Sequence, residues 1–319
     1  DEFLESLYKT TDKRVDTSIK LMDKVDDWDF FMVLITGTDR IQHYLWGDME
    51  DKDPKYGDAI EKYYIHVDGL IAKLIEKGGQ NTTVIILSDH GFGRQSNRVH
   101  INHWLIENGF TYLEDTWDNK KTLWTIRLSG FLKETGLSEV IRSVLVKFFE
   151  GKQADVQPPK VAFDFSKKTS VFATAYYTGG LYMNPKLTPE EYNRRREELI
   201  EKIKEMKDPQ TGEKIIKTAY KREELYKGDY VYLAPDVILI PNGNYWVVGG
   251  LNYHRLIEPV YRDTGEHRLE GVLIMAGPKI QNREDIIKAN LTDVTPTVLH
   301  IFGIKPDMDG KPITEILKD

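Results

Sequence analysis

The chain has 319 residues, of which 40% are hydrophobic, and its formal net charge is −7. This length suits one large α/β domain with an insertion, or two domains, and the acidic balance argues against a general nucleic-acid-binding protein. Cysteine is absent, which excludes disulfides and thiolate metal ligands. The sequence has neither an apolar run of about 18 residues nor a signal segment, and we expect a cytoplasmic protein.

Four short apolar runs predict buried β-strands. They cover residues 30–35, 84–87, 237–240 and 272–275. Each run is continuous rather than alternating, which is typical of parallel strands that are covered on both faces.

Helices are predicted between these strands. Apolar residues recur every three or four positions from Ile60 to Leu74. A second helix is predicted from Thr188, a favourable N-cap that is followed by Pro189, to about residue 206. A last helix is predicted over 293–302. Strands that alternate with helices predict an α/β fold with a mainly parallel sheet flanked by helices.

The middle of the chain breaks this alternation. Residues 111–235 contain a predicted helix near 128–149, a Pro158-Pro159 break and a turn at Tyr176-Tyr177-Thr178-Gly179-Gly180. We interpret 111–235 as an accessory or cap region inserted into a core formed by 1–110 and 236–319.

Candidate metal ligands follow the predicted strands, where open α/β sheets bind their ligands. Asp39 and His43 are four residues apart, so that a helix starting there would place both on one face. A carboxylate and an imidazole at this spacing can share a divalent cation. The alternative is an acidic residue that stabilises the helix start beside a structural histidine.

Two further segments add ligand-type residues. Asp89 and His90 follow the strand 84–87 and precede Gly91, which permits close backbone approach. His267 lies in a polar turn before the strand 272–275. Together the three segments supply two carboxylates and three imidazoles without a thiol, a set that suits Zn²⁺ or Mn²⁺.

Four motifs in this order resemble those of the alkaline phosphatase superfamily. The resemblance is closest to its type I phosphodiesterase/nucleotide pyrophosphatase branch, in particular to the predicted phosphohydrolase/phosphomutase group of prokaryotes, and it extends over residues 3–312. The motifs are TGTDRIQH (36–43), SDHGFG (88–93), GEHR (265–268) and TDVTPTVL (292–299). The resemblance implies an alkaline-phosphatase-like core and a metal-dependent enzyme that acts on phosphate esters, including nucleotides: a phosphodiesterase, nucleotide pyrophosphatase, phosphatase or phosphomutase.

The same resemblance implies two divalent metal ions. One would be held by Asp39, His43 and His267, and the other by Asp89 and His90 together with a first-strand Asp and a Thr or Ser nucleophile. Residues 1–30 do not match the segment that carries this Asp and nucleophile, and we expect both to lie upstream of this chain. Two alternatives stay open: a sulfatase-like or phosphonate-cleaving relative, and a non-catalytic metal-binding module.

Other polar and aromatic residues receive weaker predictions. Arg40 and His254 are candidates for substrate binding. His66, His100, His103 and His300 are interpreted as structural or surface residues. Packing is also the favoured interpretation of two aromatic pairs, Tyr176-Tyr177 and Tyr245-Trp246.

Overall fold

The computed structural model describes residues 1–25, 27–135, 161–166, 168–173, 179–251, 254–261 and 264–318. The chain divides into two compact units, one formed by Asp1–Arg94 and Arg262–Asp319 and the other by Gln95–Tyr261. We call them the terminal unit and the central unit. The functional division into a core (1–110 and 236–319) and a cap (111–235) stays a prediction.

The described elements are helices and short strands that occur in runs rather than in strict alternation. The helices are α1 (Glu2–Lys24), α2 (Gly37–Glu50), α3 (Ala59–Gly78), α4 (Ile101–Glu107), α5 (Trp117–Glu134), α6 (Pro189–Lys204), α7 (Arg222–Leu225) and α8 (Leu291–Ile301). The strands are β1 (Val84–Leu87), β2 (Gly91–Arg94), β3 (Asn97–His100), β4 (Val171–Ala173), β5 (Gly180–Met183), β6 (Ile216–Lys221), β7 (Val237–Pro241), β8 (Tyr245–Val248), β9 (Ile257–Pro259), β10 (Gly265–Arg268) and β11 (Leu273–Ala276). Helices α1–α3 precede β1–β3, and β7–β11 precede the last helix. None of the helices in these ranges has the length and apolar character that a bilayer crossing requires. The cytoplasmic location stays a prediction.

Helices α1, α2 and α3 pack together in the terminal unit. Their shared core contains Leu7, Ile41, Ala59, Ile60, Tyr63 and Val67. The Tyr63 hydroxyl lies 2.6 Å from the Thr11 hydroxyl, which satisfies both polar groups inside this core. A Cβ at Gly37 would lie 1.8 Å from that Tyr63 oxygen, so the start of α2 approaches α3 as closely as only glycine permits.

The predicted helices are confirmed with small changes at their ends. Helix α3 ends before Gly79, whose φ of 80° is in the left-handed region. Helix α6 begins with a capping box in which Thr188 and Glu191 bond each other's backbone amides. The predicted helix near 128–149 overlaps the end of α5, and its remainder lies outside the described residues, as do Tyr176-Tyr177.

The predicted strand over 30–35 is wrong for the described structure. The segment has no strand partner among the residues that the structure describes. Its side chains still alternate between exposed and partly buried positions, as in an extended chain. Phe30 is 59% exposed, Met32 74% and Leu34 63%. An apolar run predicts a preference for extended backbone, but a strand also requires a neighbour that completes its hydrogen bonds.

The predicted mainly parallel sheet is also wrong. Within the described ranges only β3 and β8 pair in parallel, whereas every other pair of named strands is antiparallel. The terminal unit contains the pairs β1–β11 and β2–β10, and the central unit contains sheets of order β8-β3-β9 and β4-β5-β7-β6. Continuous apolar runs reported burial correctly for β7, but burial does not determine strand direction. The fold is therefore mixed α/β.

Asp236 connects several elements of the central unit. Its side chain is buried, and Oδ2 accepts a hydrogen bond from the Met183 amide at 2.7 Å. Oδ1 accepts one from the Tyr192 hydroxyl at 2.6 Å and lies 3.0 Å from an Arg222 guanidinium nitrogen. Burial and the hydrogen bond to this carboxylate raise the pKa of Tyr192 to about 12. The network joins β5, α6, α7 and β7.

We predict that Tyr192→Phe destabilises the protein by about 1–3 kcal/mol at neutral pH, because a buried carboxylate loses a hydrogen-bond donor. The raised pKa of Tyr192 gives stability that is present below pH 10 and is lost as pH rises towards about 12, since the unfolded phenol ionises first. Urea unfolding at a series of pH values measures both effects.

Tyr220→Phe is the matched control, because no hydrogen bond of that hydroxyl is found among the described residues. The wild-type protein should lose more stability between pH 10 and 12 than Tyr192→Phe does. If the wild-type protein and Tyr192→Phe lost the same free energy of unfolding between pH 10 and 12, this explanation of the network would be contradicted.

Candidate metal centre

The first two candidate ligands lie on one face at the start of α2. Asp39 is in the first turn of the helix, where the helix dipole favours a negative charge. His43 follows one turn later, and its Nε2 lies 3.5 Å from the Asp39 Oδ1 atom. The predicted arrangement of a carboxylate and an imidazole on one helix face is confirmed.

The third candidate reaches the same point from a strand. His267 lies on β10, which pairs antiparallel with β2 in the terminal unit. Its Nε2 is 3.0 Å from the His43 Nε2 and 3.3 Å from the Asp39 Oδ1. Asp39, His43 and His267 each offer one ligand atom, and these atoms lie within 4.8 Å of one another. The structure therefore brings together residues that are more than two hundred positions apart in the sequence.

Two glycines allow this convergence. A Cβ at Gly265 would lie 2.0 Å from the Gln42 carbonyl oxygen, so β10 approaches α2 at a distance that excludes any side chain. A Cβ at Gly91 would lie 2.0 Å from the Glu270 carbonyl oxygen. The close backbone approach expected at Gly91 is confirmed. Gly265 lets β10 approach α2, which carries His43, and Gly91 lets the turn after His90 approach the segment that follows β10.

His90 extends this group, and Asp89 lies at its outer side. The His90 Nε2 is 3.6 Å from the Asp39 Oδ1, and its ring stacks on His267 with centroids 3.6 Å apart. The Asp89 Oδ1 is also 3.6 Å from the His90 Nε2, but this carboxylate is 78% exposed. The five predicted ligands thus lie near one another and are called the cluster here. Ligand atoms of Asp39, His43 and His267 meet at one point, whereas His90 lies beside them and Asp89 is open to solvent.

Backbone carbonyls determine which imidazole nitrogens can bind a cation. The His43 Nδ1 lies 2.9 Å from the Gly265 carbonyl oxygen, and the His90 Nδ1 lies 3.0 Å from that of Gly91. A carbonyl oxygen only accepts hydrogen bonds, so both Nδ1 atoms carry the hydrogen. In the neutral rings the Nε2 lone pairs then point into the cluster, as in histidine ligands oriented by a backbone carbonyl.

The environment of His267 also favours a neutral ring. Burial lowers the pKa of His267 below its usual value, and the neighbouring His90 adds to this lowering. Neutral imidazole is the form that coordinates metals. Imidazole nitrogens with a carboxylate oxygen are donors that fit Zn²⁺ or Mn²⁺, so the residues present fit a divalent cation.

The other polar candidates lie in different surroundings. Arg40 is exposed on α2, and no ion pair of this side chain is found in the described part of the chain. His254 belongs to the central unit, where its ring covers Gly130 of α5. The roles of both in substrate binding stay predictions.

Two of the remaining histidines contact carboxylates. The Nε2 atom of His66 on α3 lies 2.6 Å from an Asp12 carboxylate oxygen on α1. The sequence cannot show this pair, because the partner lies on another helix. His100 is buried, with Nε2 3.0 Å from Glu258, as a structural residue would be.

Phe92 was not among the residues selected from the sequence, although it lies within the second motif. Its ring contacts the imidazoles of His43, His90 and His267. Strand alternation was the available signal. Residues two positions apart in a strand lie on the same face, which would place Phe92 on the face of His90.

We predict that His43→Ala lowers the zinc affinity by more than about 100-fold, because it removes a direct ligand. Loss of an outer-shell partner of a ligand costs roughly 10- to 100-fold in affinity. Isothermal titration calorimetry of residues 1–319 measures the affinity. His300→Ala is the matched control, since His300 is exposed at the end of α8 and lies outside the cluster. Equal zinc affinities of the two variants would show that the Asp39–His43 pair is only a helix-start feature.

Comparisons with known proteins agree with the motifs. The sequence matches the family described as type I phosphodiesterase / nucleotide pyrophosphatase over residues 2–269. The fold is similar to that of human ectonucleotide pyrophosphatase / phosphodiesterase 5, with a TM-score of 0.51 and 14% sequence identity over 97% of this chain. The similarity covers 64% of the human chain. A search of curated proteins gave no match. The match over residues 2–269 shows that this chain belongs to the type I phosphodiesterase / nucleotide pyrophosphatase family.

Proposed function

We propose that this chain forms the metal-binding part of a divalent-metal-dependent phosphodiesterase or nucleotide pyrophosphatase. The observation that carries the proposal is the convergence of Asp39, His43 and His267, whose ligand atoms lie within 4.8 Å of one another. Membership of the family supplies the reaction class, and the cluster supplies the donors that such a reaction requires.

Asp39, His43 and His267 would hold one cation, and Asp89 with His90 would contribute to a second. The proximity of His90 to Asp39, at 3.6 Å, supports two neighbouring sites. Two-metal enzymes separate their ions by about 4 Å, which is compatible with a cluster of this size. When bound, such ions stabilise the charge on a phosphoryl group and favour attack by an oxygen nucleophile.

The ligand set favours Zn²⁺ or Mn²⁺ over Mg²⁺. Imidazole nitrogen suits the first two ions, whereas Mg²⁺ binds mainly carboxylate oxygen, phosphate and water. The terminal unit contributes three imidazoles and two carboxylates to the cluster. A phosphate ester, including a nucleotide, is the proposed substrate class.

Arg40 and His254 are proposed to contact the substrate. The Arg40 guanidinium is exposed next to Asp39 and forms no ion pair within the described ranges, so it is available to an anion. On a helix it lies about 100° around the axis from Asp39, which places it beside the ligand face rather than on it. His254 lies in the loop before β9.

We predict that the protein that carries this chain hydrolyses an aryl phosphodiester in a metal-dependent way. Chelation with EDTA should abolish turnover, and Zn²⁺ or Mn²⁺ should restore it. His43→Ala should lower kcat/KM by at least about 100-fold, because each cation stabilises transition-state charge by several kcal/mol. His300→Ala is the control and should retain activity.

Parallel assays with an aryl phosphate monoester, an aryl sulfate and an aryl phosphonate separate the competing reactions. A preference for the sulfate or the phosphonate would overturn the phosphodiesterase assignment. Turnover of the diester that persists in EDTA and in His43→Ala would overturn the metal-dependent mechanism. Zinc binding without turnover of any of the four esters would indicate a non-catalytic metal-binding module.

A further inference from the structure

A single aromatic ring contacts all three imidazoles of the cluster. Phe92 lies on β2, directly opposite His267 in the antiparallel ladder. Its ring centroid is 4.9 Å from that of His43, 5.3 Å from His90 and 5.2 Å from His267. The interplanar angles of 80° with His43 and 82° with His267 are edge-to-face contacts, the geometry that aromatic pairs prefer.

The three imidazoles come from separate elements. His43 is on α2, His90 is in the turn between β1 and β2, and His267 is on β10. No short stretch of backbone fixes these rings relative to one another, and an imidazole ring can rotate about its two side-chain torsions. A common packing partner therefore restricts all three at once.

Phe92 is itself held in place on its other side. The Trp46 ring stacks on it with a centroid distance of 6.1 Å and an interplanar angle of 21°. The Trp46 Nε1 donates a hydrogen bond to the Glu50 Oε1 at 2.8 Å, which fixes the indole. Both residues belong to α2, as does His43, so the helix that supplies a ligand also supports Phe92.

Packing of an apolar core does not explain the position of Phe92. The ring is half-buried and belongs to neither of the two buried apolar clusters found in the described residues. Its described ring contacts are with the three imidazoles and Trp46. A large aromatic side chain here orients polar rings rather than filling an apolar interior.

We propose that Phe92 is a positioning residue that orients the imidazoles of His43, His90 and His267 for cation binding. The proposal rests on the metal site of the proposed function. Preorganised ligands lose less conformational freedom on binding, and they also discriminate between metals by geometry. Phe92 therefore contributes to both the affinity for zinc and the preference for zinc over manganese.

The test compares Phe92→Leu and Phe92→Tyr in residues 1–319. Leucine keeps an apolar side chain without a ring, whereas tyrosine keeps the ring. Phe92→Leu should bind zinc about 10-fold more weakly or worse, as expected when an outer-shell partner is lost. It should also show a lower ratio of zinc to manganese affinity and an altered Co²⁺ absorption spectrum. Phe92→Tyr should retain the zinc affinity, the zinc-to-manganese ratio and the Co²⁺ spectrum of the wild-type protein.

Phe3→Leu is the matched control, because Phe3 forms an edge-to-face contact with Tyr44 at 5.0 Å and is not among the ring partners of the three imidazoles. If Phe92→Leu fails to fold, Trp46→Leu replaces it, since loss of the stacked indole should loosen Phe92 and weaken zinc binding to a smaller extent. Circular dichroism of each variant before titration establishes that it is folded.

The outcomes separate this proposal from the function on which it rests. Absence of zinc binding by the wild-type chain would count against the metal site itself. Zinc binding by the wild-type chain, with unchanged affinity, selectivity and Co²⁺ spectrum in a folded Phe92→Leu or Trp46→Leu variant, would overturn the role of Phe92 alone.

Discussion

The metal-ligand cluster depends on the close approach of β10 to α2. At Gly265 the strand comes so near to the helix that a Cβ would lie 2.0 Å from the Gln42 carbonyl oxygen. The carbonyl of the same glycine accepts the hydrogen bond from the His43 Nδ1, at 2.9 Å. One residue without a side chain therefore allows the close approach of β10 to α2 and also contributes a carbonyl to the orientation of the His43 ring. Any larger residue at position 265 would have to move β10 away from α2.

Local patterns in the sequence predict the features that depend on neighbouring residues. The spacing of Asp39 and His43 predicts their shared helix face, and the Thr188-Pro189 start predicts the cap of α6, because both features are completed within one or two helical turns. The placement of His267 beside them was implied by the resemblance to a family and not by spacing. The structure confirms the proximity of the three residues.

Features that depend on residues far away in the sequence could not be predicted from local patterns. The direction of strand pairing, the absence of a described partner for the segment 30–35 and the Asp12–His66 pair all result from tertiary contacts. Apolar runs favour extended backbone, but they carry no information on which strand lies next to which. They did not predict burial at every position either, since Met32 and Ile274 are 74% and 57% exposed. The role of Phe92 was missed for a related reason, since an aromatic residue in a motif is ordinarily interpreted as packing.

The cation site that we propose at this cluster links the geometry to the family. Carbonyl groups orient the Nδ1 atoms of His43 and His90, and burial keeps the pKa of His267 low, so that the cluster presents imidazole lone pairs beside the Asp39 carboxylate. The central unit carries a separate network around Asp236 that stabilises its own sheet. Metal-assisted attack on a phosphate ester is the reaction that we propose for this ligand set, within the family to which the chain belongs.

A crystal structure of the zinc-loaded protein, with anomalous data collected above and below the zinc absorption edge, would show whether Asp39, His43 and His267 bind zinc. We expect an anomalous peak with the Nε2 atoms of His43 and His267 and a carboxylate oxygen of Asp39 at about 2.0–2.2 Å, the usual zinc–ligand distances. Zinc bound elsewhere, with these three side chains outside coordination distance, would contradict this expectation.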